Sequence, residues 1–289
     1  MHARNRYRRP YDLTALARRV PALAPFVHAA PAGHPTVDFH DPAAVRALNR
    51  ALLVADYGLQ RWDLPADNLC PAVPGRLDYV HVVADLLADL PPAFRAAPTR
   101  GLDIGTGASL IYPVLGVREY GWRFVATELD PASARAARAI AEFNDVLRGR
   151  VEVRSPASPR DILTAVVRPG ERFAFSMCNP PFFTSEAGAQ RAAANKWRKL
   201  GRADATRGLN FGGRATELWT EGGEPAFLRR YIAQSAALAD RVGWFTTLVS
   251  QRGYLDVADR AFRKVRPRRR EVVPLVTGSK KRRVLAWGW

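Results

Sequence analysis

Residues 177–183, MCNPPFF, combine residue types that can hold a planar ligand at the end of a strand. Pro180 and Pro181 have no backbone N–H to give to a sheet, so a strand entering through the preceding apolar run must stop here. Asn179 offers one hydrogen-bond acceptor and two donors, and the two phenylalanines offer flat apolar faces. Because proline restricts the backbone, the spacing predicts a rigid loop that holds a planar, hydrogen-bonding ligand.

A second group of candidate residues follows the apolar run in LDIGTGASLIYP. Gly105 and Gly107 come after a predicted strand and before a predicted helix, which is where open α/β sheets bind ligands. Glu128 ends the next strand about twenty residues later, where a carboxylate can accept hydrogen bonds from ribose hydroxyls. A pyrophosphate-binding G-x-G-x-x-G pattern would need glycine at position 110, and Leu110 there weakens an interpretation as an NAD site. The three polar stretches fall at successive strand ends, where one cleft could collect them.

The chain from Gly101 onward predicts the sheet that positions these residues. Short apolar runs alternate with helical patterns, which is typical of a mostly parallel sheet covered on both faces. The five predicted strands are RGLDIGTG, WRFVATELD, RVEVRS, RFAFSMC and GWFTTLVS, with helices at 131–145 and 224–239. The ending EVVPLVTGSKKRRVLAWGW predicts an antiparallel hairpin at the sheet edge. The sequence therefore predicts an α/β fold.

The N-terminal region is predicted to be helical. In DPAAVRALNRALLVADYGL, Asp41 is a predicted N-cap, Pro42 takes the first helical position and leucines follow at helical spacing. A second helix is predicted over 76–90. We therefore expect a small basic helical module over 1–72 and an α/β domain over 73–289, with a basic loop at 186–215 that lacks sustained periodicity.

The charge balance points to a polyanionic partner. Lys and Arg number 44 against 27 Asp and Glu, a formal net charge of +17. A cationic surface gains affinity for phosphates by releasing counterions; a merely solvated basic surface is the plain alternative. We expect four basic runs to ring the strand-end face: RNRYRR (4–9), KWRK (196–199), RPRRR (266–270) and KKRR (280–283). Tyr7 and Trp197, inside such runs, could stack on unpaired bases.

Other patterns argue against several protein classes. Cys70 and Cys178 are the two cysteines and lack short spacing, which argues against a disulfide framework and a cysteine zinc site. All five histidines precede Gly101, and neither H-E-x-x-H nor G-x-S-x-G occurs, so no metal site and no catalytic triad is predicted. No run approaches the roughly 20 apolar residues of a membrane span. We expect a cytoplasmic protein, a monomer, with no membrane partner.

The motifs resemble those of a known enzyme family. DIGTGAS, ATELD and CNPPFF are similar to class I S-adenosylmethionine-dependent methyltransferases of the N6-adenine type. HARNRY, DPAAVRALN, CPAVPGRLDYVH, LNFGG, ELWTEGGE, WFTTLVS and LAWGW extend the likeness over nearly the whole chain. Together they resemble the RlmF family of 23S ribosomal RNA adenine-N6 methyltransferases and its eukaryotic relatives acting on small nuclear RNA. The resemblance implies a Rossmann-like methyltransferase sheet, S-adenosylmethionine as cofactor, and methyl transfer to N6 of a specific adenine in 23S ribosomal RNA, in a single strand or loop.

The resemblance also implies roles for individual residues. The expected catalytic residues are Asn179, Pro180, Pro181 and Phe182. The residues expected around the methionine part of the cofactor are Asp103, Gly105, Thr106, Gly107 and Ser109, with Glu128 at the ribose and Arg76 at the carboxylate. The residues expected to bind RNA are Arg4, Arg6, Arg8, Arg9, Lys196, Arg198 and Lys199.

The chemistry of adenine methylation agrees with these residue types. An exocyclic adenine amine is a poor nucleophile because its lone pair is delocalised into the ring. Asn179 Oδ1 and the Pro180 carbonyl can accept hydrogen bonds from its two N–H groups. These bonds localise the lone pair and aim it at the sulfonium methyl, so no strong general base is required. Phe182 would stack on a base that has left its own stack, and Phe183 shares this role or packs into the core.

The loop by itself leaves the methyl acceptor open. NPP loops also occur in enzymes that methylate protein glutamine and in DNA adenine methyltransferases. The basic runs favour a nucleic acid over a protein acceptor. RNA over DNA follows mainly from the family resemblance, supported by the lack of a large separate target-recognition domain. An RNA-binding protein with a relic site is the non-enzymatic alternative.

Overall fold

The computed structural model describes residues 1–65, 68–181, 221–277 and 280–289. Their helices are α1 (Leu13–Arg19), α2 (Pro42–Tyr57), α3 (Val73–Leu86), α4 (Ile111–Tyr120), α5 (Pro131–Phe143), α6 (Gly223–Ser235) and α7 (Tyr254–Val265). Their strands are β1 (Val27–Ala29), β2 (Pro35–Val37), β3 (Arg100–Ile104), β4 (Arg123–Thr127), β5 (Val151–Arg154), β6 (Phe173–Cys178), β7 (Val242–Val249), β8 (Arg269–Thr277) and β9 (Lys280–Gly288). Several predicted features lie outside the described residues: the 186–215 loop, Phe182, Phe183, Lys196, Trp197, Arg198 and Lys199.

Seven strands form one sheet in the order β5-β4-β3-β6-β7-β9-β8. The strands β5, β4, β3, β6 and β7 run parallel, and β9 runs antiparallel to both β7 and β8. This arrangement confirms the predicted α/β class and the C-terminal hairpin. From β3 the chain continues to β4 on one side and later returns to β6 on the other. A reversal of this kind opens a crevice beyond the carboxyl end of β3.

The sheet is buried on both faces. Every residue of β6 and β7 is buried, as expected of parallel strands that helices cover on both sides. One face packs with Tyr79 of α3 and Leu115 of α4 in a cluster that includes α2; the other packs against Tyr231 of α6 and Phe262 of α7. The strand ends are therefore held on a rigid scaffold.

The predicted helices begin within three residues of the positions that local signals indicate. Helix α2 starts at Pro42, and the Asp41 side chain accepts a hydrogen bond from the Ala43 N–H, which confirms the predicted cap. The second predicted helix starts earlier than expected, at Val73, and continues through a 3-10 turn to Asp89. Sequence patterns did not predict α1, α7 or the short β1–β2 hairpin.

Candidate active site at the carboxyl end of the sheet

Three parallel strands end side by side at one edge of the sheet. Ile104, the last residue of β3, pairs with the last residues of both β4 and β6. The residues that follow these strands in the chain are Gly105, Glu128 and Asn179. All three line one cavity of about 400 Å³, which confirms that a single cleft collects them. Its volume lies within the roughly 300–1,000 Å³ typical of small-molecule sites.

Most of the predicted site residues face this cavity. The ones that line it are Arg76, Gly105, Thr106, Gly107, Ser109, Glu128, Asn179 and Pro181. Asp103 and Pro180 are buried and are not part of the lining. The strand register thus brings together residues that are up to about a hundred positions apart in the chain.

The loop after β3 has an unusual backbone. Gly105 and Gly107 have φ values of +69° and +65°, and Leu110 has +52°. Residues with side chains rarely adopt these angles. A Cβ added to Gly105 would meet no atom within 4 Å, so the backbone angle, rather than crowding, requires glycine there. The loop therefore presents bare backbone to the cavity.

Glu128 ties this loop to β4. Its Oε2 accepts the Gly107 N–H at 2.9 Å, and its Oε1 accepts the Asp130 N–H at 2.9 Å. The side chain is nearly buried yet still lines the cavity. Because the carboxylate lines the cavity, it can also reach hydroxyl groups of a ligand.

Asp103 is a fully buried carboxylate beneath the loop. Neither of its carboxylate oxygens has a hydrogen-bond partner among the described residues. Burial raises the pKa of Asp103 to about 7, the charge of Glu128 adds to this, and Thr106 and Arg76 oppose it only in part. A buried carboxylate without partners suits a ligand that brings its own cationic group.

Arg76 supplies positive charge to the cavity. Its side chain on α3 is buried, and its Nη1 donates to Tyr112 Oη at 2.9 Å. The KKRR turn approaches the same place: burial lowers the pKa of Arg282, and the charge of Arg76 lowers it further. An isolated arginine in a sequence is usually exposed, so the fold has given Arg76 a specific position at the cavity.

Asn179 presents an acceptor at the tip of β6. Its Oδ1 is buried and has no hydrogen-bond partner among the described residues. The strand end beside it is fixed, because Tyr79 Oη accepts the Cys178 N–H at 3.2 Å and hydrogen-bonds Thr246 Oγ1 at 2.7 Å. The site therefore holds an unused acceptor in a rigid position, ready for an N–H donor from a ligand.

Comparison with known proteins identifies the family. A family model described as RNA methyltransferase matches residues 1–289. The chain belongs to this RNA methyltransferase family. Two proteins called Ribosomal RNA large subunit methyltransferase F are similar to it: that of Pseudomonas fluorescens strain SBW25, 46% identical over 99% of this chain and 86% of the relative, and that of Aeromonas salmonicida strain A449, 46% identical over 100% and 91%.

Solved structures agree with this assignment. The catalytic domain of human METTL16 in complex with MAT2A 3′UTR hairpin 1 matches with a TM-score of 0.83 and 34% identity, covering 100% of this chain and 95% of that one. The N-terminal domain of human METTL16 in complex with SAH matches with 0.78 and 32%, covering 100% and 98%. The predicted resemblance is confirmed. The chain is an S-adenosylmethionine-dependent RNA methyltransferase.

Two walls of the methyltransferase cavity were not predicted. Asp161 and Ile162, on the segment after β5, form one, and Phe227 and Arg230 of α6 contribute to the other. Asp161 follows a strand of the parallel sheet, as Glu128 does. Applying the strand-end rule to β5 would have identified this segment.

The N-terminal basic run is partly occupied by contacts within the chain. Arg4 forms an ion pair with Asp85, and Arg6 pairs with Glu119 at 2.8 Å. Arg8 and Arg9 are exposed and form no ion pair with the residues that the structure describes. These two arginines are therefore the more accessible part of the run.

Two predictions about the basic runs are wrong. Tyr7 is not placed to stack on a base, because the residue is 7% exposed and its hydroxyl donates to Asp56 at 2.9 Å. The RPRRR run lies at the opposite sheet edge, since Arg269 donates to the Gly243 carbonyl at the beginning of β7. The KKRR run is placed as predicted, because Arg283 pairs with the last residue of β7.

No helix in the described parts of the chain has the length and apolar content of a membrane span.

Proposed function

We propose that this methyltransferase transfers the methyl group of S-adenosylmethionine to N6 of a specific adenine in 23S ribosomal RNA. The observation that carries the proposal is the unpartnered Oδ1 of Asn179, in the same cavity as the glycine loop and Glu128. The names of the bacterial relatives support a large-subunit ribosomal RNA substrate. The METTL16 complex with an RNA hairpin supports a target in a loop or single strand.

The cavity residues fit S-adenosylmethionine chemically. Glu128 would accept hydrogen bonds from the ribose hydroxyls, and Arg76 would pair with the carboxylate of the methionine part. The partnerless carboxylate of Asp103 would balance the ammonium group. Thr106 and Ser109 would complete this end, and we assign the adenine end to the wall formed by Asp161. When bound, the cofactor supplies an electrophilic methyl carbon.

Asn179 and Pro180 would prepare the nucleophile. Asn179 Oδ1 would accept a hydrogen bond from one N–H of the adenine amine, which draws the nitrogen lone pair out of conjugation and fixes its direction. Acceptance of the second N–H by the Pro180 carbonyl, which does not line the cavity, remains a prediction. Pro181 keeps the loop rigid, so that little reorganisation is needed at the moment of transfer. An amide does not take up the released proton, which therefore passes to solvent after transfer. Stacking of Phe182 on the target base remains a prediction.

The RNA would reach the site across basic surfaces. We propose that residues 1–72 form the RNA-binding module beside a methyltransferase domain at 73–289. Exposed Arg8 and Arg9 support this assignment, and the KKRR turn of the methyltransferase domain adds positive charge at the carboxyl edge of the sheet. Arg4 and Arg6 would join only by exchanging their carboxylate partners for phosphates. The same proposal includes a cytoplasmic location, where bacterial ribosomal RNA is made.

The test uses labelled S-adenosylmethionine and 23S ribosomal RNA from a strain that lacks the protein. We expect label in N6-methyladenine at one position of the RNA. Asn179→Ala should abolish turnover while calorimetry still detects binding of S-adenosylhomocysteine. Turnover by Asn179→Ala would contradict the catalytic role of the amide, and preferential labelling of duplex DNA or protein would contradict the proposed substrate.

A further inference from the structure

The end of α7 and the start of β8 carry more positive charge than the fold uses. Residues 260–270 contain seven Lys and Arg and no Asp or Glu. Two of them make structural contacts: the Arg269 guanidinium lies 4.2 Å from the centre of the Trp244 ring, and Arg270 lies over Phe262. The other five are exposed and form no ion pair with the described residues: Arg260, Arg263, Lys264, Arg266 and Arg268. We call these five residues the distal basic surface.

The five cations form one continuous surface. Arg260, Arg263 and Lys264 have the i, i+3 and i+4 spacing that places side chains on one face of a helix. Phe262 is buried in the core, so this face points away from it. Arg266 and Arg268 continue the charge through the turn into β8. The nearest acids in sequence are Asp256 and Asp259 on α7 and Glu271 on β8, three carboxylates against five cations.

Arg266 adopts a strained backbone conformation at the end of α7. It caps α7 in the left-handed conformation, with φ +49°, and its N–H donates to the Phe262 carbonyl at 2.7 Å. Helices usually fill this position with glycine, because a Cβ there is unfavourable. Strained backbone positions cluster at functional sites, which makes Arg266 a candidate contact residue.

The distal basic surface is far from the active site. It adjoins Arg269, whose guanidinium reaches the beginning of β7, whereas the active site lies at the carboxyl edge of the sheet. Strand β7 has 8 residues, which at a rise of about 3.3 Å per residue separates the two edges by about 25 Å. The nucleotide in the cavity and its immediate neighbours cannot contact both places.

Two structural explanations account for only part of this charge. Cations in the last turn of a helix interact favourably with its dipole, but Arg266 and Arg268 follow the helix. Charges beside an edge strand such as β8 discourage sheet-to-sheet association, but they do not require a cation at the left-handed position. A polyanion bound to this surface explains the whole set.

We propose that the distal basic surface is a second RNA-binding face, so that the substrate is a folded RNA extending at least about 25 Å from the target adenine. This inference depends on the proposed function, because it concerns the substrate of the same site. A short fragment that carries the target adenine contacts the cavity and its rim. A larger RNA also contacts the distal basic surface.

The test removes three charges by Arg263→Gln, Lys264→Gln and Arg268→Gln in one variant. Methylation is measured with a full-length 23S ribosomal RNA transcript and with the shortest fragment that wild-type protein still methylates. We expect KM for the transcript to rise roughly tenfold or more and its salt dependence to flatten by about two to three units of slope. Both kcat and KM for the short fragment should stay at wild-type values.

A matched control removes three exposed arginines elsewhere that form no ion pair with the described residues, by Arg123→Gln, Arg135→Gln and Arg150→Gln. The control should methylate both RNAs as the wild type does. An equal loss in the control, an unchanged KM for the transcript, or an equal loss on the short fragment would overturn the proposal. If wild-type protein methylates neither RNA, the proposed function has failed, while filter binding of the transcript still tests the distal basic surface.

Arg266→Gly separates RNA binding from a purely structural role. Glycine relieves the left-handed strain, so we expect Tm to rise by about 2–4 °C. Affinity for the transcript should fall and its salt slope should lessen by about one. A more stable protein with unchanged RNA affinity would show that Arg266 is not a phosphate contact and would contradict the proposal.

Discussion

Asp103→Asn should stabilise the ligand-free protein while removing cofactor affinity. An unfolded aspartate titrates near 3.8, and burial, the largest cause, raises the pKa of Asp103 to about 7 in the folded state. Between these values the folded protein holds a proton that the unfolded chain has released, so stability falls as pH rises. The loss is about 1.4 kcal/mol per pH unit, or about 4 kcal/mol by pH 7, and stays at that level above pH 7. Below about pH 4 the group contributes nothing.

The amide variant does not ionise and so escapes this loss. Thr106 lies beside the Asp103 carboxylate without meeting hydrogen-bond geometry, so the substitution costs little at this contact. The buried amide leaves its own donors unpaired at about 1–3 kcal/mol, which leaves a net gain of about 1–3 kcal/mol at pH 8. Thermal unfolding between pH 5 and pH 8.5 should show the two proteins diverging as pH rises, with the variant the more stable above pH 7.

Asp103→Asn should lose affinity for the cofactor although it gains stability. Asp103 must be ionised to balance an ammonium group, so the affinity of wild-type protein for S-adenosylhomocysteine should fall about tenfold for each pH unit below 7. Glu128 and Arg76 also act on Asp103, and both are unchanged in the variant, so they affect the two proteins alike. Calorimetry should find the variant binding weakly at every pH. A variant that is less stable than wild type at pH 8, or one that keeps its affinity, would refute this reasoning.

Three further predictions test other parts of the site and its scaffold. Trp62 donates its indole N–H to the Ser109 carbonyl at 2.9 Å. Trp62→Phe should therefore lower stability by about 1 kcal/mol and weaken S-adenosylhomocysteine binding several-fold in calorimetry. Unchanged binding would mean that the loop after β3 keeps its conformation without this hydrogen bond. Hydrogen bonds from Arg154 lower the pKa of Glu171 to about 2, so this group contributes stability above pH 5 that is lost towards pH 2. With solvent screening the loss in urea unfolding should be about 1–2 kcal/mol, and Glu171→Gln should remove this part of the pH dependence. Gly105→Ala should cost about 1–2 kcal/mol of stability and reduce S-adenosylhomocysteine affinity, because φ is +69° there; equal stability would show that the loop can adopt another conformation.

Local sequence signals predicted the elements of the catalytic centre well. The runs that became β3, β4 and β6 are short, apolar and followed by Gly, Glu or Asn, and these features depend only on neighbours in the chain. The Asp41 cap is equally local. By contrast, β1 and β2 have three residues each, which is too few to show an alternating pattern of apolar and polar residues. Helix α7 did carry a usable signal, since Ala258 and Phe262 stand four residues apart and both are buried.

The sequence by itself determined the residue types of the site, the strands that carry them and the family to which they belong. Only the tertiary structure decided which edge of the sheet each basic run occupies: β8 and β9 run in opposite directions, so RPRRR and KKRR lie at opposite edges. It also decided that Tyr7 is buried, that Asp161 faces the cavity and that the pKa of Asp103 is raised. The physical reason is that burial, strand direction and charge proximity depend on contacts between residues far apart in the chain, whereas spacing and residue type record only what lies nearby.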